Sequence, residues 1–366
     1  MLRGNSQRAR LLAAAALIVV PTVLLATPGT ADAATTANRS DAGAGWLGRQ
    51  LDDDTHLMIG TFDPGSGPVS FEDYGLTADV VLALDAAKVG RAAARRATRA
   101  LKHRVLAYTG GSASEQYAGS YAKLLVVAVA QGVDPTSFGH GPRKDLVAGL
   151  RALECGTATR TDCAATDDGR FANRSAFPGD FSNTISQSLA LIGLERATQR
   201  GTSRDSVQFL LGQQCPAGGF PENFDATPCV PSVDATGFAV QALETVGSPA
   251  AKAAASDAGR WLKRHQHANG SFSGNGARNA NSTALAAQAL TAVGRDRAAA
   301  KAGAFLRSLQ VGCGGKPALR GEIRYDRQNS GDAARATSQA VPALARTTLA
   351  DVSNDGSSRG LPRLAC

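Results

Sequence analysis

Asp234 lies in the run Pro231-Ser-Val-Asp-Ala-Thr236, a single carboxyl at the entrance to an apolar stretch. Such a group acts as a strong general acid only when its neighbours hold it protonated and poised. Alone at a helix start it has a plainer use, because Asp and Ser are preferred N-caps, and capping is the role expected of Asp234. Arg335 offers a different chemistry. A guanidinium fork grips phosphate through two parallel hydrogen bonds, and the segment from Lys316 to Arg327 adds Arg324 and Tyr325 nearby in sequence. Metal chemistry finds no support: no two cysteines stand at CxxC spacing, and none of His56, His103, His140, His265 and His267 sits beside a cysteine. Asp52-Asp53-Asp54 lacks the Asp-Asp-x-x-Asp spacing of a metal-diphosphate cluster, since position 56 is His. No metal and no cofactor are expected.

The elements that would carry these groups repeat. Gln214-Cys-Pro-Ala-Gly218-Gly-Phe220 follows Phe209-Leu210, and Gln266-His-Ala-Asn-Gly270-Ser-Phe272 follows Trp261-Leu262 at the same spacing. Weaker copies run from Trp46-Leu47 to Gly60-Thr-Phe62, from Leu150 to Phe171, and from Phe305-Leu306 through Gln310 to Gly321-Glu-Ile323, with a degenerate unit near 100–134. After each loop comes an apolar run with a hydroxyl near its start: Thr77, Ser120, Thr184, Thr236, Thr283 and Thr337. The first helix of a unit is amphipathic, as in Ala258 to Gln266. The second, as in Thr283 to Val293, is apolar all round and must be enclosed. A unit that cannot bury its own face stacks on its neighbours. The expected fold is therefore all-α, six helical hairpins closing into an (α/α)6 toroid lined by the apolar helices, with no strands. The residue two before each shared hydroxyl then falls on one rim: Gly75, Ala118, Ser182, Asp234, Asn281 and Arg335. Helix N-termini there favour anions. Ser182, Asp234, Asn281 and Arg335, with Arg324 and Tyr325, form the candidate ligand site. The plainer account makes Ser182, Asp234 and Asn281 caps and leaves the arginines facing water.

The aromatic-Leu-x3-Gln-x3-Gly-x-Phe pattern resembles the QW motif of the terpene cyclase and prenyltransferase superfamily, with Phe in place of Trp, over about residues 42 to 348. Resemblance to its class II cyclases implies an Asp-x-Asp-Asp-Thr run whose middle Asp protonates the substrate. Ser232-Val-Asp234-Ala235-Thr236 keeps only that middle Asp. Resemblance to the protein prenyltransferases implies a zinc held by Asp-x-Cys and a later His, and no His follows His267. Shielding a carbocation also needs aromatic faces, and Phe, Trp and Tyr make up only 5% of the chain. These departures favour binding over catalysis, as in the helical domain of the extracellular cobalamin carriers of the same superfamily. A divergent class II terpenoid cyclase or prenyl-processing enzyme is the alternative, and a glycan-active toroid with paired carboxylates the second, with Asp168, Asp180, Asp225 and Asp332 as its acids.

Arg3, Arg8 and Arg10 precede the apolar stretch from Leu11 to Ala26, broken by Pro21 and Pro28, and Ala31-Asp-Ala33 supplies small residues for cleavage. Residues 1–33 are read as a secretory signal peptide, 34–41 as a linker, 42–350 as the toroid and 351–366 as a polar tail. The protein is expected to be secreted and monomeric, without a membrane span. Removing 1–33 takes away three Arg and one Asp and brings the formal charge from +8 to +6. Spread over helix faces, this mild excess does not argue for nucleic acid. Six cysteines in an exported chain should pair. Cys155 and Cys215 occupy matching points of two repeats, each with one later cysteine in its own loop, so Cys155 is assigned to Cys163, Cys215 to Cys229, and Cys313 to Cys366, which ties the tail back.

Overall fold

The computed structural model describes residues 34–366 apart from 142, 159, 161, 177, 178 and 275, so the signal-peptide expectation lies outside the described residues. Helices in chain order are α1 (Arg39–Gly48), α2 (Tyr74–Ala86), α3 (Arg91–His103), α4 (Val105–Thr109), α5 (Ala118–Ala130), α6 (Leu146–Arg151), α7 (Thr184–Ala197), α8 (Arg204–Gly212), α9 (Val233–Val246), α10 (Pro249–His265), α11 (Ala280–Ala292), α12 (Asp296–Leu309) and α13 (Ala333–Ala345). α2 packs on α5, α5 on α7, α7 on α9, α9 on α11 and α11 on α13, and α13 returns to α2, which closes a ring. These inner helices are apolar nearly all round: ten of the thirteen residues of α11 are buried. The outer helices are amphipathic, as α10 shows by burying Ala255, Ala258, Trp261 and Leu262 while its last turn carries Lys263, Arg264 and His265. Basic groups there also suit the helix dipole. No helix among the described residues is long and apolar enough to cross a membrane.

Strands correct the expectation of none. Met58–Phe62 and Val69–Asp73 form an antiparallel hairpin, Phe272–Gly274 pairs with Ala277–Asn279, and Thr35–Thr36 runs parallel to Arg363–Leu364. The first two are loops between outer and inner helix, long enough to fold back and pair with themselves. The third ties the start of the chain to its end.

The repeated residues hold neighbouring units together by identical bonds. The Gln214 amide donates to the Gly218 carbonyl at 2.8 Å and to Ala254 of α10 at 2.9 Å. Gln266 does the same to Gly270 and to Ala298 of α12, and Gln310 to Gly321 and to Arg39 of α1, so the last unit clasps the first. Each donor satisfies its own loop and one carbonyl of the next outer helix. The loop glycine then lies so close to that helix that a Cβ on Gly270 would collide with the Lys301 carbonyl, and one on Gly321 with that of Ala42. Thr236, Thr283 and Thr337 accept from the backbone N–H of Phe220, Phe272 and Ile323 at 2.8–2.9 Å, which fixes the buried ring or Ile of each loop.

Three units depart from the expected register. In the first, Thr77 accepts from Met58, which is buried, while Phe62 is more than half exposed on the hairpin. In the third, the residue that accepts from Phe171 is Gln187, whose amide also donates to Gly169 and to Ser206 of α8. The reason is Glu154, which occupies the motif's Gln position. A carboxylate cannot donate to two carbonyls, so it accepts instead from the Ser203 hydroxyl at the α8 N-terminus, and a longer inner-helix side chain supplies the missing donors. Thr184, the expected counterpart, leaves its hydroxyl without a partner. In the second unit Tyr121, rather than Ser120, takes the fourth helical position and is buried.

The tail is packed, not pendant. Arg196 donates to the carbonyls of Leu349 and Val352 at 2.6 and 2.5 Å, Gln241 accepts from the Leu349 N–H, Lys88 reaches the Ser353 carbonyl, and Asn354 bonds the carbonyls of Ala130 and Gln131. Residues 349–354 thereby cross the C-terminal ends of α2, α5, α7 and α9: side-chain donors at the helix ends satisfy the tail's carbonyls, and Asn354 satisfies the carbonyls that end α5. The bridges are Cys155–Cys163, Cys215–Cys229 and Cys313–Cys366, with Cα separations of 5.7, 5.6 and 5.5 Å. The last one clips the end of the tail to the loop after α12.

Candidate functional site

In three units the side chains two before and two after the hydrogen-bonding residue of the inner helix (Thr236, Gln187 and Thr337) face the middle of the ring. In α9 these are Asp234 and Phe238, in α7 Ile185 and Leu189, in α13 Arg335 and Gln339. Together with Leu82, Leu285, Pro342 and Leu349 they line a central cavity of about 190 Å³. The tail supplies the wall at the C-terminal end through Leu349. A groove of about 270 Å³ shares Lys123, Ile185, Leu189 and Phe238 with the cavity and continues past Ser182, Tyr117 and the exposed Phe181 at the N-terminal ends of α5 and α7.

The charges in this space are mostly matched already. Lys123 pairs with Asp79 at 2.9 Å. Burial works against its charge, but Asp79 and the Tyr108 phenol outweigh that and hold the ammonium pKa above the ordinary lysine value. Arg335 is divided between Asp73 at 3.1 Å and Asp332 at 3.2 Å. Asp234 alone has no cation. Burial raises its pKa, a hydrogen bond from the Ser282 hydroxyl opposes the rise, and the charge of Glu222 adds to it. Its Oδ1 is buried with no hydrogen-bond partner.

The caps are not where the sequence suggested. Asn183 caps α7, Ser232 caps α9 and Asn279 caps α11, so Ser182, Asp234 and Asn281 are free of that duty. Asp234 is the second residue of its helix, two past the cap Ser232, and there its side chain turns from the backbone toward the ring interior. The register shift moves the rim as well: Gly119 and Ile185 take the places expected of Ala118 and Ser182. Of the six candidate ligand residues, Asp234 and Arg335 share the cavity and Ser182 borders the groove. Asn281, Arg324 and Tyr325 line neither; Arg324 is exposed, and Tyr325 spends its backbone on Ala280 and Ser330. Sequence reasoning missed Asp79, Lys123, Phe238 and Ile185. The first three lie two residues after the aligned position, a spacing as regular as the one that was followed. The four acids considered for glycan chemistry lie outside the cavity lining: Asp180 pairs with Arg170, Asp225 accepts from and is braced by Gln213, Asp332 caps α13, and Asp168 lies beside Gly156.

Solved structures share this architecture. A type II terpene cyclase from Scytonema, in complex with geranylgeranyl dihydroxybenzoate, matches with a TM-score of 0.55 at 15% identity over 84% of this chain and 96% of its own. An unsaturated glucuronyl hydrolase specific for heparin matches with a TM-score of 0.58 at 12% identity, over 84% and 95%. The chain also covers half the length of an ent-copalyl diphosphate synthase from Streptomyces platensis, 20% identical over 74% of this chain with a TM-score of 0.49. No protein-family model matches, and neither does any curated protein. The chain is a mostly helical α/α toroid, the architecture of class II terpene cyclases and of a toroidal glycoside hydrolase alike.

Proposed function

We propose that this is an exported, monomeric binding toroid that holds a small isoprenoid-like molecule in its central cavity and performs no chemistry on it. The observation that carries this is the lining: leucines, Ile185, Phe238 and Pro342 around one carboxyl without a cation, Asp234, with Asp79 and Lys123 paired to each other, Arg335 held by Asp73 and Asp332, and Gln288, Ser338 and Gln339 completing the wall. A cavity of about 150 Å³ accommodates benzene, so this one suits an apolar end of about eight to ten carbons, with the rest of the molecule following the groove. A hydroxyl on the ligand would donate to Asp234. Anionic ligands are the weaker half of the reading, because Arg335 already serves two carboxylates. Three disulfides and the absence of a membrane-crossing helix among the described residues agree with an extracellular site of action. Titration calorimetry with geraniol and with a prenyl diphosphate tests the reading. Ile185→Trp, which fills the cavity, should weaken geraniol binding at least tenfold while leaving the helical circular dichroism intact. Equal affinity for both proteins, or no binding to either, overturns it.

A second reading, a divergent class II cyclase, has one observation in its favour: Asp234 is a buried carboxyl with a raised pKa on the cavity wall, where the resemblance puts the catalytic acid. Against it, Ser232 and Ala235 replace the two supporting acids. Under the binding reading Asp234→Asn changes geraniol affinity by about tenfold or less and no product forms from squalene or geranylgeranyl diphosphate. Cyclic product that disappears in Asp234→Asn would establish the second reading instead.

A further inference from the structure

Away from the cavity, three separate stretches of chain bring basic groups to one outer face. The helix α3 contains Arg91, Arg95, Arg96, Arg99 and Lys102 and no acidic residue. It buries Ala93, Ala94, Ala97 and Leu101 against the ring, which leaves Arg95, Arg96 and Arg99 exposed. At its N-terminal end the tail crosses, with Arg91 N–H bonded to Ser358 and Gly90 N–H to Gly360, and this sets the exposed Arg359 beside the first turn. At its C-terminal end the loop before α6 docks through the His140 N–H to the Lys102 carbonyl and through the His103 and His140 rings, 4.2 Å apart, and carries Arg143 and Lys144. Among the described residues no carboxylate pairs with Arg95, Arg96, Arg99, Lys102, Arg143 or Arg359, whereas Arg104 at the next position pairs with Glu72. Asp134, whose carboxyl feels the charge of Arg143, turns an oxygen to the amide and hydroxyl of Thr136.

We propose that this stripe is a docking surface for a linear polyphosphate-type chain, held along α3 by Arg95, Arg96 and Arg99 and at its two ends by Arg359 and Arg143. Unpaired like charges crowded on one face repel each other, and a polyanion relieves that repulsion while releasing its own counterions. Arg91, Arg95 and Arg99 recur at four residues, about 6 Å of helix rise, so a flexible chain with a charge on every unit can meet each turn. The guanidinium fork matches the phosphate oxygens. α3 carries no Phe, Tyr or Trp for bases to stack on, its one imidazole, His103, already lies against His140, and its exposed apolar residues are alanines, too small to insert into a bilayer; these features set the site apart from single-stranded nucleic acid and membrane surfaces.

Fluorescence anisotropy with labelled linear polyphosphate tests this on the purified protein. Binding should weaken about a hundredfold between 50 and 200 mM salt, as about five phosphate contacts require. Arg95→Glu, Arg96→Glu, Arg99→Glu in one protein should lose at least tenfold at 50 mM salt and flatten the logarithmic salt slope by about 2. A control with the same net charge, Lys263→Glu, Arg264→Glu, Arg297→Glu on α10 and α12, should bind nearly as wild type. An equal loss in the control, no binding at 50 mM salt, or tighter binding by the same residues to single-stranded DNA or to phosphatidylglycerol vesicles would overturn the proposal.

Discussion

Gly270→Ala is expected to destabilise the protein by about 3 kcal/mol or more in urea denaturation, while Gly294→Ala costs about 1 kcal/mol. Both glycines have positive φ, 88° and 67°, and both substitutions carry the conformational cost of a side chain in that region. They differ in surroundings. A Cβ at Gly294 meets nothing within 4 Å, whereas one at Gly270 runs into backbone atoms of Lys301 and Ala302 in the middle of the next outer helix. Backbone cannot swing aside as a flexible side chain can, so the loop or α12 must move, and the Gln266 bonds to Gly270 and Ala298 stretch with it. Equal costs at the two positions would mean that the close approach of loop and helix does not bind the units together.

That clasp explains how much of the fold could be read from the sequence. Gln214, Gln266 and Gln310 with their glycines are spaced alike because each makes the same two bonds, so periodicity and geometry have one cause. The units that read poorly are those where a different side chain does the same job. Glu154 cannot donate, Gln187 donates in its stead, and a search for hydroxyls finds Thr184 three residues too early. One turn of error is enough to exchange Ile185 for Ser182 at the rim. The candidate site was partly legible for the same reason: Asp234 and Arg335 belong to units in good register and do reach the cavity. Of the two carboxylate partners of Arg335, Asp332 is three residues upstream, but Asp73 could not be read because it lies 262 residues away in sequence and across the seam where the ring closes. Capping was misjudged by two residues, since Ser232 and Asn279 compete with Asp234 and Asn281 for one role and statistics alone do not rank them. The tail's polar composition concealed its packing: a few anchors, Leu349, Val352 and Leu364, suffice when carbonyls rather than side chains do the bonding.

The largest pH effect is expected at the closed end of the ring. Asp85, in the last turn of α2, is fully buried, and both its oxygens accept from the Gln131 amide at 2.8 and 2.6 Å. Burial pushes its pKa up to about 7, against the Gln131 hydrogen bond and the charge of Lys88, which is itself held by Ser353 of the tail. The folded protein therefore keeps a proton on Asp85 at pH values where the unfolded chain, with an ordinary carboxyl at 3.8, has lost it. Between these two values the unfolded state binds fewer protons, so stability falls as pH rises. The contribution is fully present below pH 3.8 and lost as pH passes about 7, above which the slope vanishes. At about 1.4 kcal/mol per pK unit the loss is on the order of 4 kcal/mol. Asp85→Asn keeps the size of the side chain and removes the titration. Urea denaturation of both proteins at pH 4, 5.5 and 7 isolates the effect, because other buried acids contribute equally to each. The variant should gain on wild type by roughly that amount across the range, and two parallel stability curves would show that Asp85 is ionised in the folded protein throughout, with Lys88 and the tail neutralising it.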